Sequence, residues 1–169
     1  MNFNKFTLKS QEALQRAQQI AMSEQHQAME LGHILKGLLE VDDSVSPFLF
    51  KKLGVNIDIV RKTLDSQLQS YPKVTTSGGQ YLSRNATQVI TESQQFLKEF
   101  GDEFVSIEHL LLAILRIKDP VSQLLKDSGI NEKALKAAIQ ELRKGKTVQS
   151  QSAENNYNAL SKYSINLNE

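Results

Sequence analysis

The sequence has no cysteine at all, so disulfide frameworks, thiolate zinc sites and thiol nucleophiles are excluded. Charge of one sign is missing as well: 20 Lys and Arg face 19 Asp and Glu, a formal net charge of +1. A nucleic-acid partner would ask for a basic excess, and none is present. No apolar run approaches the ~20 residues that a membrane-spanning helix needs. The opening Met1-Asn2-Phe3-Asn4-Lys5-Phe6 lacks the apolar stretch of a secretory signal. These absences read together as a soluble, cytoplasmic protein that meets neither nucleic acid nor membrane. Catalytic signatures are absent too: there is no GxxxxGK[ST], HExxH, GxSxG or GxGxxG. The three histidines, His26, His33 and His109, have no further ligands spaced to complete a metal site. Ser106 and His109 invite a hydrolase reading, but Ser106 is better placed as a helix cap, and no triad acid or oxyanion motif accompanies the pair.

Proline is scarce, at three residues, and apolar positions recur with helical spacing nearly everywhere. Ala13, Leu14, Ala17, Ile20 and Ala21 fall on one helical face, as do Leu31, Ile34, Leu35, Leu38 and Leu39. Val89, Ile90, Phe96 and Leu97 form a third stripe, Leu110, Leu111, Ile114 and Leu115 a fourth, and Leu135, Ala138, Ile139 and Leu142 a fifth. No stretch alternates with the period of two that marks a half-buried strand, so the expected class is all-α. Thr7, Ser83, Ser106, Asn56 and Asn131 are placed to cap helices, and Asp119-Pro120 is a cap followed by proline at the first helical position. Gly54 and Gly129 stand where a helix ends and the backbone needs a positive φ.

The chain repeats itself with a period of about 75 residues. QAMELGHILKGLLEVDD (27–43) aligns with EFVSIEHLLLAILRIKD (103–119), and KKLGVNIDIVRKTL (51–64) with KDSGINEKALKAAI (126–139). Each copy reads as four helices, long, medium, short and medium, and the two copies are expected to pack as a pseudo-symmetric pair. Repeat 1 takes in about 1–70 and repeat 2 about 81–144, with a Ser/Thr/Gly linker over 71–80. Beyond the helical body at 145, residues 146–156 form a polar tract with almost nothing to bury, read as a flexible linker. Apolar residues return over 157–169 and look like the opening of another element.

Asp102, Glu103 and Glu108 flank the start of the second repeat's medium helix, and Phe96, Phe100 and Phe104 bracket the same region. Acids in a first helical turn complement the helix dipole. They can also form an acidic rim beside an apolar patch. On a rim, Asp102 and Glu108 could be replaced without much loss of stability.

The duplicated unit resembles the N-terminal domain of Clp/Hsp100 ATPases. Phe104-Val105-Ser106-Ile107-Glu108-His109-Leu110-Leu111-Leu112-Ala113-Ile114-Leu115 carries most of the likeness, which covers residues 1 to about 145. Tyr157-Asn158-Ala159-Leu160-Ser161-Lys162-Tyr163-Ser164-Ile165-Asn166-Leu167 resembles the segment that opens the first ATPase domain in the ClpB branch. The resemblance implies a non-catalytic module of an AAA+ disaggregase that binds exposed apolar segments of unfolded or aggregated polypeptides. It implies Thr7, Asp102 and Glu108 as groove positions, with Phe96, Phe104 and His109 as apolar or flanking neighbours. The parent chain would form a homohexamer, use ATP and Mg in its ATPase rings and work with a DnaK-type chaperone system; the fragment itself needs no cofactor and no metal. The alternative is an adaptor-docking domain of a ClpC- or ClpA-type unfoldase. One departure is Leu31-Gly32-His33: Gly32 stands where the first repeat of the ClpC branch carries a glutamate for phosphoarginine recognition.

Overall fold

The computed structural model of the protein describes residues 3–75 and 81–154. Repeat 1 runs α1 (Leu8–Ser23), β1 (Ala28–Met29), α2 (Leu31–Val41), α3 (Val45–Lys52) and α4 (Ile57–Leu68). Repeat 2 runs β2 (Tyr81–Leu82), α5 (Arg84–Phe100), α6 (Ile107–Arg116), α7 (Pro120–Asp127) and α8 (Glu132–Arg143). The lengths, 16, 11, 8 and 12 residues against 17, 10, 8 and 12, match the expected long, medium, short and medium order. Part of the expected linker (76–80) and all of the expected ATPase opening (157–169) lie outside the described residues.

The caps act as their chemistry dictates. Thr7, Ser83, Asn56, Asn131 and Asp119 each accept a backbone N–H from the first turn of their helix, satisfying donors that the helix itself cannot. Gly54 and Gly129 end α3 and α7 at φ 70° and 106°. Asp42 adds a cap that patterning did not single out: its carboxylate accepts from the amides of Ser44, Val45 and Ser46 and from the Ser46 hydroxyl, fixing the start of α3.

The two repeats are interlocked. Met29 pairs with Leu82 in a two-residue parallel sheet, and Phe6 pairs with Val105 in a parallel bridge. The two links are related by the sequence repeat: the segment entering each long helix pairs with the segment entering the other copy's medium helix. The Ser83 amide donates to Met29 O at 3.0 Å and the Thr7 amide to Val105 O at 2.9 Å. These strands depart from the strand-free expectation because two residues are too few to show a period of two.

The core lies around α2 and α6, which are apolar on nearly every side. All residues from Ile107 to Leu115 are buried, so α6 is enclosed rather than half-exposed. Each large aliphatic side chain enclosed this way contributes about 1.5–3 kcal/mol of hydrophobic stabilisation. α1 crosses α2 at close range because Gly37 lacks a side chain: a Cβ there would stand 2.6 Å from Ala13 O and 2.8 Å from the Ala17 amide.

After α8 the chain does not leave the body. Residues 146–154 lie against it, with Val148, Ala153 and Glu154 all buried. This corrects the reading of 146–156 as a tract with almost nothing to bury, for the residues described.

Candidate functional site

The medium helix of each repeat begins with the same device. Ile107 is the first residue of α6, and the imidazole of His109 turns back so that its Nδ1 accepts the Ser106 amide at 2.8 Å. An Nδ1 that accepts a backbone N–H carries no proton, so the hydrogen sits on Nε2. That Nε2–H donates to Asp102 Oδ2 at 2.7 Å. Arg143, from the end of α8, closes the cluster. Its Nη1 reaches Asp102 Oδ1 at 3.1 Å, its Nη2 reaches Oδ2 at 2.9 Å, and its Nε donates to Glu108 Oε2 at 3.1 Å. The Val148 amide donates to Asp102 Oδ1 at 2.8 Å. Burial raises the Asp102 carboxyl, but the bonds from His109 and Val148 and the Arg143 charge outweigh it and hold Asp102 below the usual carboxylate range.

The first repeat answers with different residues at the same places. His33 Nδ1 accepts the Glu30 amide at 2.9 Å, and its Nε2–H donates to His26 Nδ1 at 2.7 Å. His26 therefore stands where repeat 2 has Asp102. Gly32 replaces Glu108, and Leu68 stands opposite it in place of Arg143. The room left by the missing Glu side chain is filled by Tyr71: a Cβ on Gly32 would lie 2.5 Å from the Tyr71 hydroxyl and 2.9 Å from Leu68 Cδ2. The Gly32 amide donates to that hydroxyl at 3.1 Å. Burial, then the neighbouring His26, push His33 down to about 4, so the cluster is neutral.

The residues expected to form a binding rim are brought together but closed off. Thr7, Phe96, Glu108 and His109 are fully buried, and Asp102 is 8% exposed. Phe104 is half-buried against the core. The acidic rim beside an apolar patch is thus not a surface feature. Its acids are consumed by Arg143, which residue spacing did not reveal because Arg143 lies more than thirty positions beyond either acid. Phe96 lies under the Arg116 guanidinium, 4.2 Å from its ring centroid, and joins the cluster through Phe100, whose ring lies edge-on to both Phe96 and His109. Removing Asp102 or Glu108 would strand the buried Arg143, so the expectation that these acids are dispensable for stability does not survive their burial. Ser106 Oγ lies 3.1 Å from His109 Nδ1, which completes the outline of a Ser-His-Asp triad. All three side chains are enclosed, however, and Nδ1 is already engaged by a backbone amide, leaving no lone pair to activate the hydroxyl.

Open apolar surface lies elsewhere. A cleft of about 220 Å³ is lined by Phe3, Leu14, Met29, Tyr81 and Leu82, with Gln15 and Gln18 beside them. That is below the ~300–1,000 Å³ of drug-sized sites, so it suits a side chain or two of an extended segment. Among the described residues none that lines it is charged, whereas two other clefts are walled by Arg116, Lys118 and Lys126 and by Glu12, Arg16 and Glu40. Tyr81 is 55% exposed, and Leu8 and Met22, seven residues either side of Gln15 on α1, are similarly open. Periodicity had assigned Leu14 to the core, and 4% exposure agrees; its edge forms the cleft floor.

Residues 5–128 match the family of the Clp repeat (R) N-terminal domain. The chaperone protein ClpB of Bacteroides thetaiotaomicron is 54% identical over 170 residues, covering all of this chain but 20% of that protein, so the chain spans about a fifth of the relative's length. Among solved structures, the Hsp104 N-terminal domain from Candida albicans superposes with a TM-score of 0.78 at 20% identity, covering 89% of this chain and 99% of that one. A ClpV N-domain solved in complex with a VipB peptide superposes with a TM-score of 0.64 at 22% identity, covering 82% of this chain and 86% of that one.

Proposed function

Because this chain belongs to the Clp repeat (R) N-terminal domain family, we propose that it is the substrate-engaging module of a ClpB-type disaggregase. Its role is to hold exposed apolar segments of unfolded or aggregated polypeptides near ATP-driven rings supplied by the rest of the parent chain. The observation that carries this reading is the apolar cleft between α1 and the β1–β2 pair, which has exposed Tyr81 on its wall and no charged side chain among the described residues that line it, with exposed Leu8 and Met22 on the same face of α1 as Gln15. A cleft without charge selects for apolar character and little else, as a module that meets many different chains requires. A ClpV N-domain of the same fold solved in complex with a VipB peptide supports a peptide-binding role.

The physics favours weak capture. A contact of ~200–300 Å² gives about 5–8 kcal/mol of burial, most of which the loss of translational and rotational freedom offsets. A module tethered beside its motor needs no more, since the tether raises the effective concentration. The test is fluorescence anisotropy with a labelled, permanently unfolded apolar polypeptide against the wild-type chain, Tyr81→Ser and Gln18→Lys. Both substitutions are at exposed positions, so the melting temperature should hold while binding weakens at least threefold. Unchanged affinity in both variants would exclude the cleft.

A further inference from the structure

Residues 147–154 cover the N-termini of α1 and α6, and the bonds that hold them there are specific. Glu103 donates its amide to Val148 O at 2.8 Å, and Leu8 donates its amide to Gln151 O at 2.8 Å. Glu154 then inserts a carboxyl at the convergence of the two helix starts. Its Oε2 accepts the Thr7 hydroxyl at 2.7 Å and the Ile107 amide at 3.0 Å. Two N-terminal dipoles converge on this point, which makes it a seat for an acidic oxygen. The seat is tight but incomplete. Glu154 Oε1 and Glu108 Oε1 are both buried without a hydrogen-bond partner, and Glu154 as a residue is 2% exposed.

The first repeat shows which part of this segment is scaffold. There the Gln27 amide donates to Pro72 O at 3.0 Å, the counterpart of Glu103 to Val148, so contact at the first residues is common to both copies. Glu154 lies beyond that shared stretch. It brings a second carboxyl into an enclosure that already holds Glu108, with Arg143 committed to Glu108 and Asp102. Such an arrangement costs free energy to close, unlike an ordinary helix cap.

We propose that residues 147–154 are a reversible strap, an in-chain ligand seated through Glu154 on the α1 and α6 N-termini, and that the vacated seat takes a segment of another chain with the same pattern, an apolar residue followed six positions later by a carboxylate. The strap is then a competitor that regulates access to a second surface, separate from the apolar cleft and independent of the reading of that cleft. Burial, then the Glu108 charge, push the Glu154 carboxyl up to about 7. The groups that face it are Thr7 from α1, Glu108 from α6 and, through Glu108, Arg143 from α8. Seating therefore favours the protonated acid, and the strap loosens as pH rises from the ordinary carboxyl range through about 7.

The experiment uses the full chain as wild type, Glu154→Ala and Glu154→Gln. The probe is a fluorescent, end-capped peptide of residues 146–154, read by anisotropy, with amide exchange followed at Leu8 and Ile107, which donate to Gln151 O and Glu154 Oε2. Losing the bonds that Glu154 Oε2 accepts weakens the strap, so the peptide should bind Glu154→Ala about tenfold more tightly than wild type, and exchange at both amides should quicken. A peptide with Ala in place of its Glu should lose most of that affinity, whereas a Gln peptide, which keeps an accepting oxygen without the charge, should keep it and bind with less dependence on pH. Exchange of the α6 interior amides reports whether each variant is folded, and Glu154→Gln keeps the side-chain shape as a second case. Equal affinity of the peptide for folded wild type and both variants, or equal binding of the Ala peptide, would overturn the proposal. Tyr81→Ser should leave this competition untouched, which separates its failure from that of the cleft.

Discussion

At the residue scale, the most informative pair is His26 and Asp102, which hold equivalent places and give their repeats opposite electrostatics. In repeat 2 a carboxylate accepts the His109 Nε2–H, and an arginine balances it. In repeat 1 a second imidazole does the accepting, and no charge is needed. The His33 shift from 6.5 to about 4 has a stability consequence. Between those values the unfolded chain binds a proton that the native imidazole refuses, so the contribution is whole above 6.5 and drains away as pH falls through about 4. Placing Asp at position 26 supplies the carboxylate that repeat 2 uses. In His26→Asp, the His33 titration followed by nitrogen-15 NMR should move upward from about 4; an unmoved or lower midpoint would show that the neighbour does not set it.

At the scale of elements, the crossing of α1 over α2 depends on one missing methyl group. Gly37→Ala would gain up to about 1 kcal/mol of helix propensity. It would also drive a Cβ to 2.6 Å from the Ala13 carbonyl, a backbone atom that cannot swing aside. Overpacking costs typically ~1–3 kcal/mol and more against backbone, so the clash wins. A net loss of about 2 kcal/mol should lower the melting temperature by roughly 4–8 °C in a thermal scan. A variant as stable as wild type would mean that the helices separate without penalty. Much of this level was legible in the sequence: five of the eight described helices follow from apolar stripes, the other three from the repeat, and six starts from Thr7, Asn56, Ser83, Ser106, Asp119 and Asn131, whereas Glu30 and Asp42 at the starts of α2 and α3 were not singled out. What was not legible has a common cause: it joins residues distant along the chain. The Met29–Leu82 and Phe6–Val105 links are too short to leave a period. Arg143 reads as an ordinary basic residue at a helix end until the fold brings it to Asp102. Val148, Ala153 and Glu154 sit in a polar tract whose composition hides three buried side chains. The His26–Asp102 equivalence was available, because the repeat alignment extended by one residue beyond Gln27 pairs them.

At the scale of the molecule, the duplication yields a symmetric frame with asymmetric contents. Each copy needs the other to complete its strand link, which makes the pair one body, while Gly32, Leu68 and Tyr71 fill in apolar fashion the volume that Glu108 and Arg143 fill with charge. Near-neutral net charge and an uncharged cleft agree with contact chosen by apolar character. The family resemblance implied Thr7, Asp102 and Glu108 as groove positions, whereas the structure turns them inward and leaves Tyr81, Leu82 and Met29 at the opening. The most direct test is a methyl and amide NMR titration of the full chain with a permanently unfolded apolar polypeptide. The account predicts that perturbations concentrate on Leu14, Met29, Tyr81 and Leu82. Perturbations confined to the Arg116–Lys126 cleft or to the Glu12–Glu40 cleft, with these four unmoved, would contradict it.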